Sequence, residues 1–187
     1  METIGHHSCK KDGGAEYVKQ HAPFISSKGA DNNYPFLGEG YYFWDNNIER
    51  AHSWGKNHYK KKYYIVECGL NLTGKIFLDL VGNRGHIIEF LALYRALTTK
   101  YNNGENWPIG RFIEFLKKLD TKEEYKGIFP WKVIRAVDHL NVGHSKQNSL
   151  KFVDSRNNFT NLSPIIVICL YEKNEVILQS KILINQN

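Results

Sequence analysis

The sequence contains no apolar run of the roughly 18–20 residues that a helix needs to cross a bilayer. Its first residues, 1–7, lack the basic and apolar regions of a signal peptide. Internal repeats and low-complexity segments are also missing from the sequence. From these absences we expect a soluble cytoplasmic protein that does not contact a membrane.

Cysteine is scarce, with three residues among 187, and no two of them form a C-x-x-C pair. Cys9, Cys68 and Cys169 are odd in number and far apart, which argues against a disulfide framework and a structural zinc site. The nearby His6 and His7 do not change this conclusion, because neighbouring residues of a strand face opposite sides. We therefore expect reduced thiols and no bound metal.

Composition and charge indicate one globular domain over residues 1–187. Hydrophobic residues make up 42% of the chain and charged residues 24%, which is typical of a protein with a buried core and unlike a disordered or collagenous chain. The 25 Lys and Arg residues exceed the 19 Asp and Glu residues, which gives a net charge of +6. This charge suits an anionic partner such as RNA, DNA or a phosphorylated cofactor, without choosing among them.

The hydrophobic pattern divides the chain into three stretches. Residues 1–85 carry glycine-rich turns and short strand patterns, and residues 63–70 and 75–80 predict two strands or one bent strand. Residues 86–126 change to helical spacing and predict two helices. The rest of the chain predicts three strands, at 131–137, 164–170 and 175–184. Between the first and the second of these strands, residues 142–163 predict a long surface loop or lid.

The last two predicted strands are separated by a Tyr-Glu-Lys-Asn turn, which favours a hairpin. The order of the elements predicts an α+β fold of mostly antiparallel strands, interrupted by a helical insertion at residues 86–126.

The most distinctive segment is residues 37–54, in which glycines precede four consecutive aromatic residues and a helical pattern follows. Gly38 and Gly40 allow the backbone to turn sharply or to approach a ligand closely. Side chains alternate along a strand, so Tyr42 and Trp44 share one face, and such a face can stack on a planar ring.

Three motifs resemble the ADP-ribosyltransferases of the diphtheria-toxin and poly(ADP-ribose) polymerase type. Residues 38–43, Gly-Glu-Gly-Tyr-Tyr-Phe, with the helix that follows, resemble the G-x-G-x-Y-F…A segment of that family. Upstream, His6-His7-Ser8 resembles the His-Gly-Ser or His-Gly-Thr strand end with which the family opens. Downstream, residues 64–74 resemble its next strand and glycine-containing turn. The resemblance covers residues 4–80 in order.

This resemblance implies a split mixed β-sheet around a cleft that binds NAD as a substrate. Tyr42 would stack on the nicotinamide ring, and Trp54 would close over it. His6 would hydrogen-bond the adenosine ribose, and Ser8 would support the nicotinamide ribose. The main chain of His7 would pair with the carboxamide.

Two positions depart from the family pattern. His7 stands where the family has glycine, so either the register shifts by one residue or the side chain points away from the cleft. On a late strand the family has Glu or Gln, which binds the transferred ribose, and here that position falls on Ile165 or Val167. A carboxylate near the ribose stabilises the positive charge that develops when the glycosidic bond breaks.

Other acids are therefore candidates for the missing carboxylate. With His6 and Tyr42, we predict Asp45 as a catalytic residue, although Asp45 also suits a helix cap beside the Asn46 and Glu49 capping box. The remaining acids are placed in turns: Glu39, Glu172 and Glu175.

On the predicted strand at 131–137, Lys132 and Arg135 are candidates for binding a substrate phosphate or base. The alternative for both residues is a solubilising role on an edge strand.

The resemblance predicts an NAD-dependent ADP-ribosyltransferase that passes ADP-ribose to a macromolecular acceptor. The positive charge slightly favours nucleic acid, RNA or DNA, over protein as the acceptor. A stand-alone transferase of this size resembles bacterial toxins and phage-defence effectors that an antitoxin protein holds in check. The alternatives are a non-catalytic module that binds NAD, ADP-ribose or nucleic acid, and an enzyme that hydrolyses NAD without an acceptor.

Overall fold

The computed structural model describes residues 1–30, 33–60, 62–138, 149–151, 159–161 and 163–184. Its strands are β1 (Glu2–Lys10), β2 (Tyr41–Asp45), β3 (Tyr63–Asn71), β4 (Phe77–Asp79), β5 (Val133–Val137), β6 (Ser149–Lys151), β7 (Phe159–Asn161), β8 (Ile166–Leu170) and β9 (Leu178–Ile184). Its α-helices are α1 (Gly14–His21), α2 (Ile48–Tyr59), α3 (Arg84–Tyr101) and α4 (Ile109–Asp120), followed by a short 3-10 helix at Glu123–Tyr125.

Seven of the strands form one mixed sheet in the order β4-β5-β8-β2-β1-β3-β9. Every pair in it is antiparallel except β4 with β5. The predicted α+β class with mostly antiparallel strands is therefore confirmed, as are two helices in the middle of the chain.

The predicted hairpin of the last two strands is wrong. β8 lies between β2 and β5, whereas β9 pairs with β3 at the opposite edge of the sheet. Four of the five residues of β8 are buried. The backbone N–H and C=O groups of a buried strand need hydrogen-bond partners along both edges, and β2 and β5 supply them. The two strands therefore follow each other in sequence without pairing.

Helix α1 is absent from the sequence-based prediction. Gly13 precedes this helix and Gly14 begins it, with φ values of 81° and 80°. Val18 is the one buried residue of the helix, so the apolar spacing that marks a helix in a sequence is weak here. In the predicted loop at 142–163, β6 and β7 pair with each other. The other residues of that loop up to 162 lie outside the described residues.

Helices cover both faces of the sheet. α2, α3 and α4 share a core with one face, which includes Trp44, Ile65 and Ile134. α1 packs on the opposite face through Val18, in a core that includes Phe43. Among the described residues, no helix is both long and apolar enough to span a membrane.

The three cysteines are buried and form no disulfide. Burial raises the pKa of Cys9, Cys68 and Cys169 to about 12 in each case. The thiols therefore stay protonated at neutral pH, as the expectation of reduced cysteines requires.

The sheet opens between β1 and β2. β1 pairs with β3 along all nine of its residues, but it pairs with β2 only through Gly5 with Asp45 and His6 with Trp44. Beyond His6 the two strands separate, and β2 continues to pair with β8 on its other side. A gap between two neighbouring strands results.

The side chain of His7 bridges this gap. Its Nδ1 lies 2.8 Å from the carbonyl oxygen of Tyr42 on β2, and its Nε2 lies 3.0 Å from the backbone nitrogen of Phe24. A carbonyl accepts and a backbone N–H donates, so Nδ1 carries the proton and the ring is neutral. Burial lowers the pKa of His7 to about 4. The side chain thus joins β1, β2 and the loop that begins at Phe24.

His7 makes the stability of the fold depend on pH. Its folded-state pKa of about 4 lies below the value of 6.5 in the unfolded chain, so its contribution is complete above about pH 6.5 and is lost as the pH falls toward 4. We expect this residue alone to lower the free energy of unfolding by about 3 kcal/mol across that interval. Urea denaturation at successive pH values measures the change.

The matched comparison is His7→Gln against His21→Gln. His21 is exposed on α1 and its ring contacts the carbonyl of Tyr17 within that helix, so His21→Gln is the control for replacing a histidine outside the strand gap. His7→Gln removes the part of the slope between pH 6.5 and 4. If the unfolding free energy of His7→Gln depends on pH as it does in the wild type, protonation of His7 is not the cause of this dependence.

Candidate functional site

A cavity of about 950 Å³ occupies the gap between β1 and β2. Sites for cofactors and other small molecules have volumes of about 300–1,000 Å³. Residues 24–29 and 33–36 contribute one wall of this cavity. Other lining residues come from β1, β2, α2, β8 and the end of β5, and they include Ser8, Lys10, Tyr42, Trp44, Trp54, His58, Tyr59, Val167 and Asp138.

One edge of β1 faces this cavity. Beyond His6, no strand of the described chain pairs with β1 on the β2 side. A strand that is bonded along one edge leaves alternate N–H and C=O groups on the other edge available to a partner. The Ile4 carbonyl accepts from the Asn46 N–H on the β2 side, whereas the Lys11 N–H donates to the Lys62 carbonyl on the β3 side. Backbone groups alternate between the two edges of a strand, so those of Ser8 face the cavity and those of His7 face β3. A main-chain contact with a carboxamide would therefore come from Ser8 and not, as predicted, from His7.

Tyr42 lines the cavity. Its hydroxyl donates to the carbonyl oxygen of Gly38 at 2.6 Å and accepts from the backbone N–H of Leu37 at 2.7 Å. Burial raises the pKa of Tyr42 above its ordinary value, so the hydroxyl is not a proton donor to a ligand near neutral pH. The two hydrogen bonds fix the ring, which is half-buried.

Trp54 is held over the cavity by helix α2. The Ser8 hydroxyl on β1 donates to the carbonyl oxygen of Ala51 at 2.7 Å and so ties α2 to the strand. The Trp54 ring stacks on His58 with centroids 3.7 Å apart and lies 5.7 Å from the Trp44 ring. Aromatic faces of this kind stack on planar heterocycles.

Gly38 and Gly40 support Tyr42 from outside the cavity. Gly38 has a φ of 80°, which glycine adopts without the strain that other residues incur. A side chain at Gly40 would come within 2.5 Å of the Cys169 sulfur and 2.6 Å of the Leu170 carbonyl oxygen. Both glycines are thus required by the turn and by packing on β8, and neither lines the cavity.

His6 also lies outside the cavity. Its side chain is buried on the face that α2 covers, and its Nε2 is 3.3 Å from a carboxylate oxygen of Glu67 on β3. Its Nδ1 has no hydrogen-bond partner among the described residues. The contact of His6 with an adenosine ribose is not formed by this arrangement and stays a prediction.

Asp45 and Arg135 meet on the face opposite Trp44, and neither lines the cavity. Arg135 donates from Nε to the Asp45 carboxylate at 2.6 Å and from Nη1 to Asp79 at 3.4 Å. Thr3 donates to the same Asp45 carboxylate at 2.5 Å. This half-buried ion cluster joins β1, β2, β4 and β5, and it places neither Asp45 nor Arg135 beside the cavity.

The other predicted site residues are also away from the cavity. Lys132 is exposed and pairs with Glu172 at 3.1 Å. Glu39 accepts a hydrogen bond from the backbone N–H of Lys28 at 2.7 Å. The structure therefore brings four of the predicted residues to the cavity: His7, Ser8, Tyr42 and Trp54.

Sequence reasoning did not name Asp138 or residues 24–29 and 33–36 as parts of the site. Strand alternation places Trp44 on the face of Tyr42, so Trp44 could have been assigned to the site from the sequence. Asp138 carries no such signal, because its position depends on the pairing of β5 with β8, two strands that are distant in sequence.

Comparison with protein-family models, curated proteins and solved structures finds no match to this chain. Among the described residues, no group of three or more His, Cys, Asp or Glu side chains converges in a way that would hold a metal ion.

Replacing Arg135 will destabilise the fold far more than replacing Lys132. Arg135→Gln leaves Asp45 and Asp79 half-buried without their cation, and removing one partner of a buried ion pair costs about 3–5 kcal/mol. Lys132→Gln removes an exposed pair, which contributes less than about 1 kcal/mol. Urea denaturation of both variants measures the difference, and equal losses contradict the structural role of Arg135.

Proposed function

We propose that this chain binds NAD in the cavity between β1 and β2 and transfers its ADP-ribose to a macromolecular acceptor, with release of nicotinamide. The observation that carries the proposal is the position of the cavity. It opens between the two strands that carry the His6-His7-Ser8 and glycine–aromatic motifs. The separation of β1 from β2 is independent of the sequence resemblance and supports the same split-sheet arrangement.

The cavity offers a partner for each chemical part of NAD. Tyr42 and Trp54 present aromatic faces to the nicotinamide ring, and the edge of β1 beyond His7 presents backbone groups to the carboxamide. Ser8 lies beside these groups with a hydroxyl oxygen that can accept a hydrogen bond from a ribose. The ammonium of Lys10, exposed at the end of β1, suits the pyrophosphate.

Positive charge at one end of the cavity supports a nucleic acid as the acceptor. Lys10 ends β1, and the backbone N–H of Lys11 donates to the Lys62 carbonyl at 3.2 Å. The backbone N–H of Lys62 in turn donates to the carbonyl of Tyr59, a cavity residue, at 2.9 Å. Lysines therefore cluster where an acceptor would approach, and phosphates bind such clusters electrostatically.

One observation favours a non-catalytic binding module as the second candidate. Val167 of β8 lies opposite Trp44 and is 4% exposed. The residues of β8, Ile166–Leu170, include no acid. A protein with this strand would bind NAD or ADP-ribose without chemistry unless another residue supplies a carboxylate.

The test is nicotinamide release from NAD by the purified protein, alone, with total RNA and with total cell protein. We expect release that increases with RNA. Tyr42→Ala removes the stacking face, which contributes about 1–3 kcal/mol per base, so the Kd for NAD rises about 10-fold or more. Calorimetric titration with NAD measures the affinity.

Tyr42→Phe is the matched control. It keeps the ring but leaves the Leu37 N–H without its acceptor, so thermal stability falls while the Kd for NAD stays within about threefold of wild type. Release that requires cell protein redirects the acceptor to a protein. Binding of NAD without release in any mixture supports the binding module. No binding of NAD contradicts the transferase, and no binding of either NAD or ADP-ribose contradicts both candidates.

A further inference from the structure

The cavity contains two carboxylates among its described lining residues, Asp12 and Asp138. Asp12 is exposed in the turn after β1. The Asp138 side chain is 15% exposed, so its carboxylate is enclosed at the inner part of the site. A charge acts more strongly on a ligand in such surroundings than at a solvated surface.

Strand pairing sets the position of Asp138. Asp138 directly follows β5, and its backbone N–H donates to the carbonyl of Ile165 at 2.7 Å. Ala136 lies opposite Val167 on β8, and Val167 lies opposite Trp44 on β2. Residues 136 and 138 share one face of the strand. Asp138 is therefore on the same face as Trp44, one strand beyond Val167.

Arg50 of α2 holds this carboxylate. Its Nη2 lies 3.8 Å from the Asp138 carboxylate, and its guanidinium lies 5.0 Å from the centre of the Trp44 ring. The arginine thereby joins Asp138 to the same aromatic wall that faces the cavity. The ion pair with Arg50 orients the carboxylate within the fold, and a preoriented charge is what electrostatic catalysis uses.

We propose that Asp138 is the catalytic carboxylate of the reaction, in place of an acid on β8. This inference depends on the proposed function. In the reaction the bond between C1′ of the ribose and the nicotinamide nitrogen breaks, and its electron pair leaves with neutral nicotinamide. The Asp138 carboxylate stabilises the cation left at C1′. An oxygen or nitrogen of the acceptor, or water, forms the new bond to C1′ and releases its proton to solvent.

The experiment compares Asp138→Asn, Asp138→Glu and the control Glu16→Gln. Glu16 is an exposed acid, paired with Lys19 and outside the cavity. For each variant we measure the Tm, the Kd for NAD by calorimetry and the kcat of nicotinamide release. A catalytic carboxylate predicts a loss in kcat with little change in Kd, whereas a purely structural role predicts a change in Tm without this split.

We expect Asp138→Asn to lower kcat by about 10²–10³, the usual effect of removing one electrostatic group from an active site. Its Kd for NAD stays within about threefold, because the aromatic contacts persist. Asp138→Glu retains a carboxylate that is displaced by one methylene, so its kcat lies between those of wild type and Asp138→Asn. Glu16→Gln has the wild-type kcat.

Three results overturn the assignment and are distinguishable. If wild type releases nicotinamide and a folded Asp138→Asn does so at the same rate, Asp138 is not the carboxylate and the proposed function stands. If wild type binds NAD and releases none, the reaction and the role of Asp138 fail together. Should Asp138→Asn not fold, an Asp138→Glu variant that folds and matches the wild-type kcat also contradicts the assignment, because a displaced carboxylate would act less well.

Discussion

The separation of β1 from β2 after two residue pairs is the constraint on which the cavity depends. In a continuous sheet, backbone hydrogen bonds would fill this space. Here the neutral imidazole of His7 takes their place by donating to the Tyr42 carbonyl and accepting from the Phe24 N–H. Because an imidazole is longer than a direct backbone hydrogen bond, it satisfies both groups while it keeps the strands apart. A glycine at this position could not make these contacts.

The wall of the cavity that contains Tyr42 is held in place by packing outside the cavity. Tyr42 is fixed by the turn at Leu37 and Gly38, and the Tyr171 hydroxyl donates to the Leu37 carbonyl at 2.9 Å. Helix α4 packs so closely on this region that a side chain at Gly110 would lie 2.1 Å from the Pro35 carbonyl oxygen. The central helices therefore contribute to the site indirectly, because they hold the turn that orients the aromatic face.

Local patterns predicted the elements better than the contacts between them. The glycine–aromatic segment gave the position of β2 and the face shared by Tyr42 and Trp44, because strand alternation is a local property. Helix α2 begins one residue later than predicted: Asn47 caps it by accepting from the Arg50 N–H at 2.9 Å, and Asn46 instead has a φ of 46°.

The pairing of strands that are distant in sequence could not be predicted from local patterns. Two strands that follow each other in sequence predict a hairpin of β8 with β9. Because β8 is buried, however, its backbone groups need a strand along each edge, and these strands are β2 and β5. The same pairing brings Asp138 to the cavity, and it also places the charge of Asp45 against Arg135 on the opposite face. Which acid lies at the site is thus decided by strand order, which one sequence does not specify.

The central claim is that NAD occupies the gap between β1 and β2. Crystals of the Asp138→Asn variant soaked with NAD test it most directly, since slow turnover would preserve the dinucleotide. The account predicts that the nicotinamide ring stacks on Tyr42 or Trp54 and that C1′ of its ribose faces residue 138. NAD bound elsewhere on the protein, with this cavity unoccupied, would contradict the account.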